Sequence, residues 1–351
     1  MSGRTQTALI KKGRVLVLWL LVFVSYFFSL KAYMSIVPSY GAPVFLADNW
    51  PDGVQAAEIL KKEKEKEEPA RLCFYYDGGL MTLYEKEYGR QTKVLAAGIQ
   101  GDSTLYDWRM NSLDENDADG CIVDQKTARE LFGSTSVIGR EIILGEDSYQ
   151  VRDVLPLKER IMLYHPKDRD AAYTKVFVGY KEGESIENTV SQFLMSYGLS
   201  GTAVEGEILE NGALLGLCLV PGLMFLAFFV SAGKEEKRCK EKKIDAWIWK
   251  GIRILLLAVL AWVLYKNIHI PAEWLPGKWS DFSFYPARLQ EELEKLRLYL
   301  VLSRTVVQAE NLILTGKSIF LSVTSFFLCM GLLLFNWRRE GIAQTQRRET
   351  F

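Results

Sequence analysis

The sequence predicts an α+β extracytoplasmic domain inserted between the first and second of four transmembrane α-helices, and three observations predict it. Apolar runs of bilayer-crossing length, which takes roughly 20 residues at 1.5 Å each, occur once near the start of the 351-residue chain and again only beyond residue 212. The stretch between them alternates short apolar strand patterns with helix patterns, as mixed folds do. Charge is sorted by location: segments 1–14, 233–253 and 338–351 carry 16 basic and 6 acidic residues, leaving 27 basic and 37 acidic elsewhere. The sorting is hidden in the totals, since the 43 basic side chains equal the 43 acidic ones. That balance excludes a generally basic nucleic-acid binder. A composition 49% hydrophobic and 25% charged, with mean hydropathy +0.01, excludes both a disordered chain and one that is apolar throughout.

Taken in order, residues 1–14 form a basic tail with Arg4, Lys11, Lys12 and Arg14, and 15–37 the first span, running from Val15 past Lys31 to Val37. Basic residues before an apolar run also begin a cleaved signal sequence, but this run is long and no small-x-small site follows it directly, so a retained anchor is expected. Residues 38–212 form the outer domain. Within it 52–68 reads as a surface helix with Asp52 at its start, Val54, Ala57 and Leu60 on one side, and a solvated charged stretch from Lys61 to Glu68 ended by Pro69. Strands follow at 71–76, 92–99, 121–123, 141–144, 149–155 and 175–180, separated by turns at Asp77-Gly78-Gly79, Gly101-Asp102 and Gly145-Glu146-Asp147. A short helix over 124–132 takes Asp124 as N-cap and Gly133 as its stop, and a second over 185–197 ends at Gly198.

The second span is 213–232, where Gly216, Pro221 and Gly222 indicate a kink or a close helix contact. Residues 233–253 form a basic loop, 254–268 the third span with Arg253 and Lys266 snorkelling at its ends, and 269–317 an outer segment. That segment opens with an aromatic, turn-rich stretch over 271–282. A helix from Pro286 then carries Leu289, Leu293, Leu296 and Leu300, which either cover apolar surface or form a dimer or partner contact. The fourth span is 318–337, followed by a cytoplasmic tail, 338–351. The positive-inside rule puts both termini and the 233–253 loop in the cytoplasm, so a multi-pass plasma-membrane protein in contact with lipid is expected.

One part of the outer domain carries a family pattern. Gly120-Cys121-Ile122-Val123-Asp124, then Ala128-Arg129-Glu130-Leu131-Phe132-Gly133, then Val137-Ile138-Gly139-Arg140-Glu141-Ile142, then Tyr149-Gln150-Val151-Arg152-Asp153-Val154-Leu155 resembles the periplasmic core domain of MacB/FtsX-like ABC-transporter permeases. The motif positions are Leu131, Phe132, Gly133, Gly139 and Val151. The close match covers about 36 residues, and the order of one span, an outer domain and three further spans is also that family's. Asp153 stands where the family usually has Gly, and the cytoplasmic loop lacks the family's Glu-Ile-Gly-x-x-x-Ala-x-Gly-Ala stretch.

The resemblance implies a permease-like subunit without a catalytic site, a homo- or heterodimer of permease chains, energised by a separate ATP-binding cassette subunit and transmitting movement to its outer domain. Ile244, Trp247 and Ile248 lie at i, i+3, i+4 and would be the ATPase-coupling face by position; alternatively Trp247 and Trp249 rest at headgroup depth. A membrane scaffold or sensor that binds a peptide, lipoprotein or cell-wall partner outside is the other reading.

Chemistry-bearing motifs are sparse. Gly316-Lys317-Ser318 lacks the leading Gly of a phosphate loop and abuts a span, so no nucleotide site is expected. Residues 115–120, Glu-Asn-Asp-Ala-Asp-Gly, have the alternating oxygens of a calcium loop, but Lys126 stands at its twelfth position, so neither metal nor cofactor is expected. The two histidines, His165 and His269, have no neighbouring nucleophile motif, and an enzyme is not expected. Of the five cysteines only Cys73 and Cys121 share the outer domain, where they are either a disulfide or two buried thiols. No carboxylate or histidine interrupts the spans, which disfavours an ion-coupled carrier.

Overall fold

The strand patterns after Pro69 find their partners in one nine-stranded sheet, and the apolar runs all become long helices. The computed structural model describes residues 3–111, 113, 117–157, 159–168, 171–180, 186–204, 207–238, 243–267, 283–302 and 304–349. The chain divides into two units: a helical one from 1–36, 207–294 and 312–351, and a sheet-based one from 37–206 and 295–311.

The sheet-based unit runs β1 (Gly41–Asp48), α2 (Gly53–Lys64), β2 (Leu72–Tyr84), β3 (Gln91–Gly101), β4 (Gly120–Asp124), α3 (Gln125–Phe132), β5 (Glu141–Leu144), β6 (Asp147–Leu155), β7 (Ile161–Tyr164), β8 (Lys175–Gly179), α4 (Ile186–Tyr197) and β9 (Ser200–Ala203). Sheet order is β3-β7-β4-β6-β5-β2-β8-β1-β9, and β3 also pairs with β2. The strands β2, β3, β7, β4, β6 and β5 therefore return on themselves as a closed ring, which removes two edges. From the first half of β2, β8, β1 and β9 continue as an arm. Pairing is mixed: β3–β7 and β4–β6 are parallel, the other pairs antiparallel.

All six expected strands are present, and β1, β7 and β9 were not legible. β1 contains Pro43, which cannot donate to a ladder; its carbonyl accepts from Val204 N at 3.0 Å instead. The expected turn at Asp77-Gly78-Gly79 is a correction, because these residues lie inside β2 as a bulge. Tyr76 pairs with Gly98, Asp77 with Ala97 and Gly79 with Ala96, with the register shift between Asp77 and Gly79. Gly79 takes φ 77°, the left-handed value such a bulge needs. The extra residue inverts the side-chain alternation, so buried Leu83 past the bulge lies on the same face as buried Phe74 before it.

Local signals place the helices of this unit well. The Asp124 carboxylate accepts from Lys126 N (2.7 Å) and Thr127 N (3.1 Å), and α3 stops at Gly133 with φ 75°. Asp52 caps α2 in a capping box with Gln55, but the buried face is Ala56, Ile59, Leu60 and Glu63, so that of the expected Val54, Ala57 and Leu60 only Leu60 is buried. α7 (Phe284–Val301) and α8 (Val306–Glu349) each contribute residues to both units, and Val306 and Val307 join the buried cluster around Ile99, Tyr106 and Phe177.

The helical unit contains α1 (Gly3–Met34), α5 (Glu207–Arg238) and α6 (Lys243–Asn267) as well as most of α7 and α8. Three stretches among the described residues are long and apolar enough to cross a membrane: Val15–Met34, Leu209–Glu236 and Val306–Trp337. The expected third span lies on α6, which at 25 residues is about 37 Å long. The loop expected at 233–253 is mostly helix, α5 reaching Arg238 and α6 starting at Lys243, with 239–242 outside the described residues. Arg253 fastens this hairpin, pairing with Glu236 at 2.8 Å and lying 4.6 Å from the Phe229 ring centroid.

Candidate functional site

The positions singled out in the sequence fall in three places. Leu131 and Val151 are wholly buried in one core cluster of the sheet unit, and Phe132 packs against it. Gly133 and Gly139, at φ 75° and 82°, occupy backbone conformations that a side chain would strain. Asp153, where the resembled family has Gly, follows the β6 irregularity opposite Cys121 and Ile122 and accepts from Asn111 N at 2.7 Å. Its φ is not positive, so the position does not demand glycine.

Ile244, Trp247 and Ile248 lie in the first turns of α6, not on a separate helix. Trp247 is 78% exposed and Ile248 56% exposed, an uncovered apolar pair at the end of α6 that carries Lys243 and Lys250. The α7 leucines are also uncovered: Leu289, Leu293 and Leu300 are exposed, and the residue this helix buries is Tyr299. The aromatic stretch 271–282, Cys239, Glu115 and Asn116 lie outside the described residues.

The described residues of the chemical motifs make the following contacts. Gly316-Lys317-Ser318 is continuous α8 helix, and Ser318 is buried against Ser29. Asp117 pairs with Arg152 at 2.6 Å and Asp119 with Lys167 at 2.8 Å. The hydrogen bond from Arg152 holds the Asp117 carboxyl below the usual range. Among the described residues no three His, Cys, Asp or Glu side chains are placed to hold a metal ion. Cys73 and Cys121 are free, buried and on strands that are not neighbours. Burial raises both thiols, Cys121 to about 12, so neither is a ready thiolate.

Two arrangements were not found by reading the sequence. The first is a polar seam in the helical unit. Ser318, Ser322 and Ser325 of α8 are wholly buried; Ser29 of α1 donates to Ser318 O at 2.8 Å, and Ser25 bonds Ser325. Gly216 of α5 faces Ser322, where an added Cβ would sit 2.5 Å from Oγ. Small and hydroxyl-bearing residues bring backbones close where water is absent. The 4-3 spacing of the serines was the available signal.

The second is the buried carboxylate Glu63, inside the charged stretch expected to be solvated. It accepts from Lys66 Nζ (2.5 Å), Ala70 N (3.2 Å) and Tyr197 Oη (2.9 Å). Burial pushes its pKa up, but these hydrogen bonds outweigh that and hold it below the usual carboxylate value. Lys175, also buried, lies 4.9 Å from the Tyr75 ring and 5.3 Å from Phe45, and burial lowers its pKa.

No protein-family model matches the chain, and no curated protein matches it. Solved structures similar to it include extracytoplasmic regions of two bacterial proteins. They include the extracellular domain of noncanonic ABC-type transporter YknZ from Gram-positive bacteria, 19% identical over 46% of this chain and 96% of that one, TM-score 0.34. The periplasmic region of MacB from Actinobacillus actinomycetemcomitans is 8% identical over 48% of this chain and 90% of that one, TM-score 0.37.

Proposed function

We propose that the chain is a permease-like membrane subunit of a bacterial ABC transporter, working as a dimer and transmitting movement between a separate cytoplasmic ATPase and its outer domain. In this reading four helices span the plasma membrane, α6 among them, with both termini inside and residues 38–212 outside. It carries no active site of its own. The observation that carries the reading is the motif run from Gly120 to Leu155, set in an outer domain between a first apolar helix and the remaining ones. The exposed Trp247–Ile248 pair supports it by offering the ATPase an apolar foothold at the cytoplasmic end of α6.

The alternative, a scaffold or sensor with an outer partner, draws support from the missing docking stretch. The two readings part at α6. Substituting Trp247→Asp together with Ile248→Asp abolishes co-isolation of an ATP-binding subunit under the first reading. Under the second it changes no interaction, and any outer-face partner stays bound.

A further inference from the structure

One cavity of the sheet-based unit, about 370 Å³, gathers hydrogen-bond acceptors and donors that the fold itself leaves unused. His165, 7% exposed, places Nδ1 2.8 Å from the carbonyl oxygen of Ile99. A carbonyl only accepts, so Nδ1 carries the proton and Nε2 of the neutral ring is left as an acceptor. The Gln100 amide is oriented in the same way: its Nε2 donates to Gly53 O at 3.4 Å, which makes Oε1 the acceptor. His165 Nε2 and Gln100 Oε1 are buried with no partner among the described residues, which is costly unless something fills the site, and both residues line the cavity. Donors come from α2, whose first two residues, Gly53 and Val54, also line it. The Asp52 cap takes Gln55 N at 2.8 Å, and the amides of Gly53 and Val54, in the first turn, have no acceptor within the helix. Val54, Ala57 and Pro166 supply apolar surface, and Asp168 lines the cavity with an interaction of its own.

We propose that this cavity binds a primary carboxamide on a short aliphatic stem. Such a group has two N–H donors and an acceptor oxygen. The donors suit His165 Nε2 and Gln100 Oε1, the oxygen suits the Gly53 and Val54 amides, and the stem lies along Val54, Ala57 and Pro166. A carboxylate would bring no hydrogen to the two buried acceptors. An ammonium would leave the α2 amides unpaired and would face the positive end of that helix. The volume falls within the range of about 300–1,000 Å³ usual for small-molecule sites. The inference stands apart from the transporter reading, since it needs only residues of the sheet-based unit.

The test uses the full chain in detergent micelles, labelled with nitrogen-15 at histidine and held at about pH 8, where an imidazole is ordinarily neutral. The chain has only two histidines, so His269 is the internal control. Propionamide is expected to shift the His165 Nε2 resonance in a saturable way and leave His269 unmoved. Butanone, of the same shape but without N–H, and propylammonium are each expected to bind roughly tenfold more weakly. Gln100→Leu, which removes one acceptor, is expected to weaken propionamide binding by a similar factor, while the comparison of the three ligands needs no variant. A His165 signal that stays put at tens of millimolar propionamide, or that saturates as readily with butanone or propylammonium, overturns the proposal. So does a Gln100→Leu chain that folds and binds propionamide as tightly as the wild type.

Discussion

Glu63 shows how far a single side chain departs from its sequence context. Within Lys61 to Glu68 it looks like one more surface charge, yet it is 3% exposed and ties α2 to Ala70 and to Tyr197 of α4. Its folded pKa lies below the unfolded value of about 4.3. The stability it contributes is therefore present above that unfolded value and lost as pH falls through the folded one. Glu63→Gln is expected to destabilise the outer domain by about 1–3 kcal/mol at neutral pH and to flatten its acid unfolding between about pH 5 and pH 3, followed by tryptophan fluorescence. A second residue-scale prediction concerns Gly98, over which the Tyr76 ring lies. A Cβ there would come within 1.9 Å of that ring and 2.7 Å of Pro166. Gly98→Ala is expected to cost about 1–3 kcal/mol by overpacking, read from urea unfolding. The sequence announces neither residue, because each derives its role from a partner remote along the chain.

Elements were legible where the code is local and hidden where it is not. Asp124 and Gly133 frame α3 within ten positions of each other, so the sequence alone delimits that helix. Asp77-Gly78-Gly79 carries an equally strong local signal for a turn, and the register against β3 makes it a bulge instead. The buried Asp124 carboxylate also accepts from Ile161 N at 3.0 Å, joining α3 to β7. Asp124→Ala removes a cap and orphans that amide, with an expected loss of about 2–4 kcal/mol, checked by thermal unfolding. The serine seam makes a prediction in the helical unit. Ser29 Oγ and Ser318 Oγ are 3.3 Å apart, so Ser29→Cys with Ser318→Cys is expected to cross-link under mild oxidation. Ser29→Cys with Phe320→Cys is the control, since Phe320 is exposed.

At the scale of the molecule, the sorting of charge was the most legible feature, because it depends on counting and not on contacts. It predicts that cysteines introduced at Arg4 and Arg348 are shielded from a membrane-impermeant maleimide in intact cells, whereas one at the exposed Ile138 is labelled. The cavity lined by Gln100 and His165 was the least legible, since the two come together only once β3 and the chain after β7 are in place. The proposed role rests on a motor supplied by another chain, and affinity isolation of the wild-type protein from its native membranes in mild detergent tests that directly. The account predicts an ATP-binding cassette subunit retained in fixed ratio to this chain. Its reproducible absence, with an outer-face partner held instead, would contradict the transporter reading and leave a scaffold or sensor.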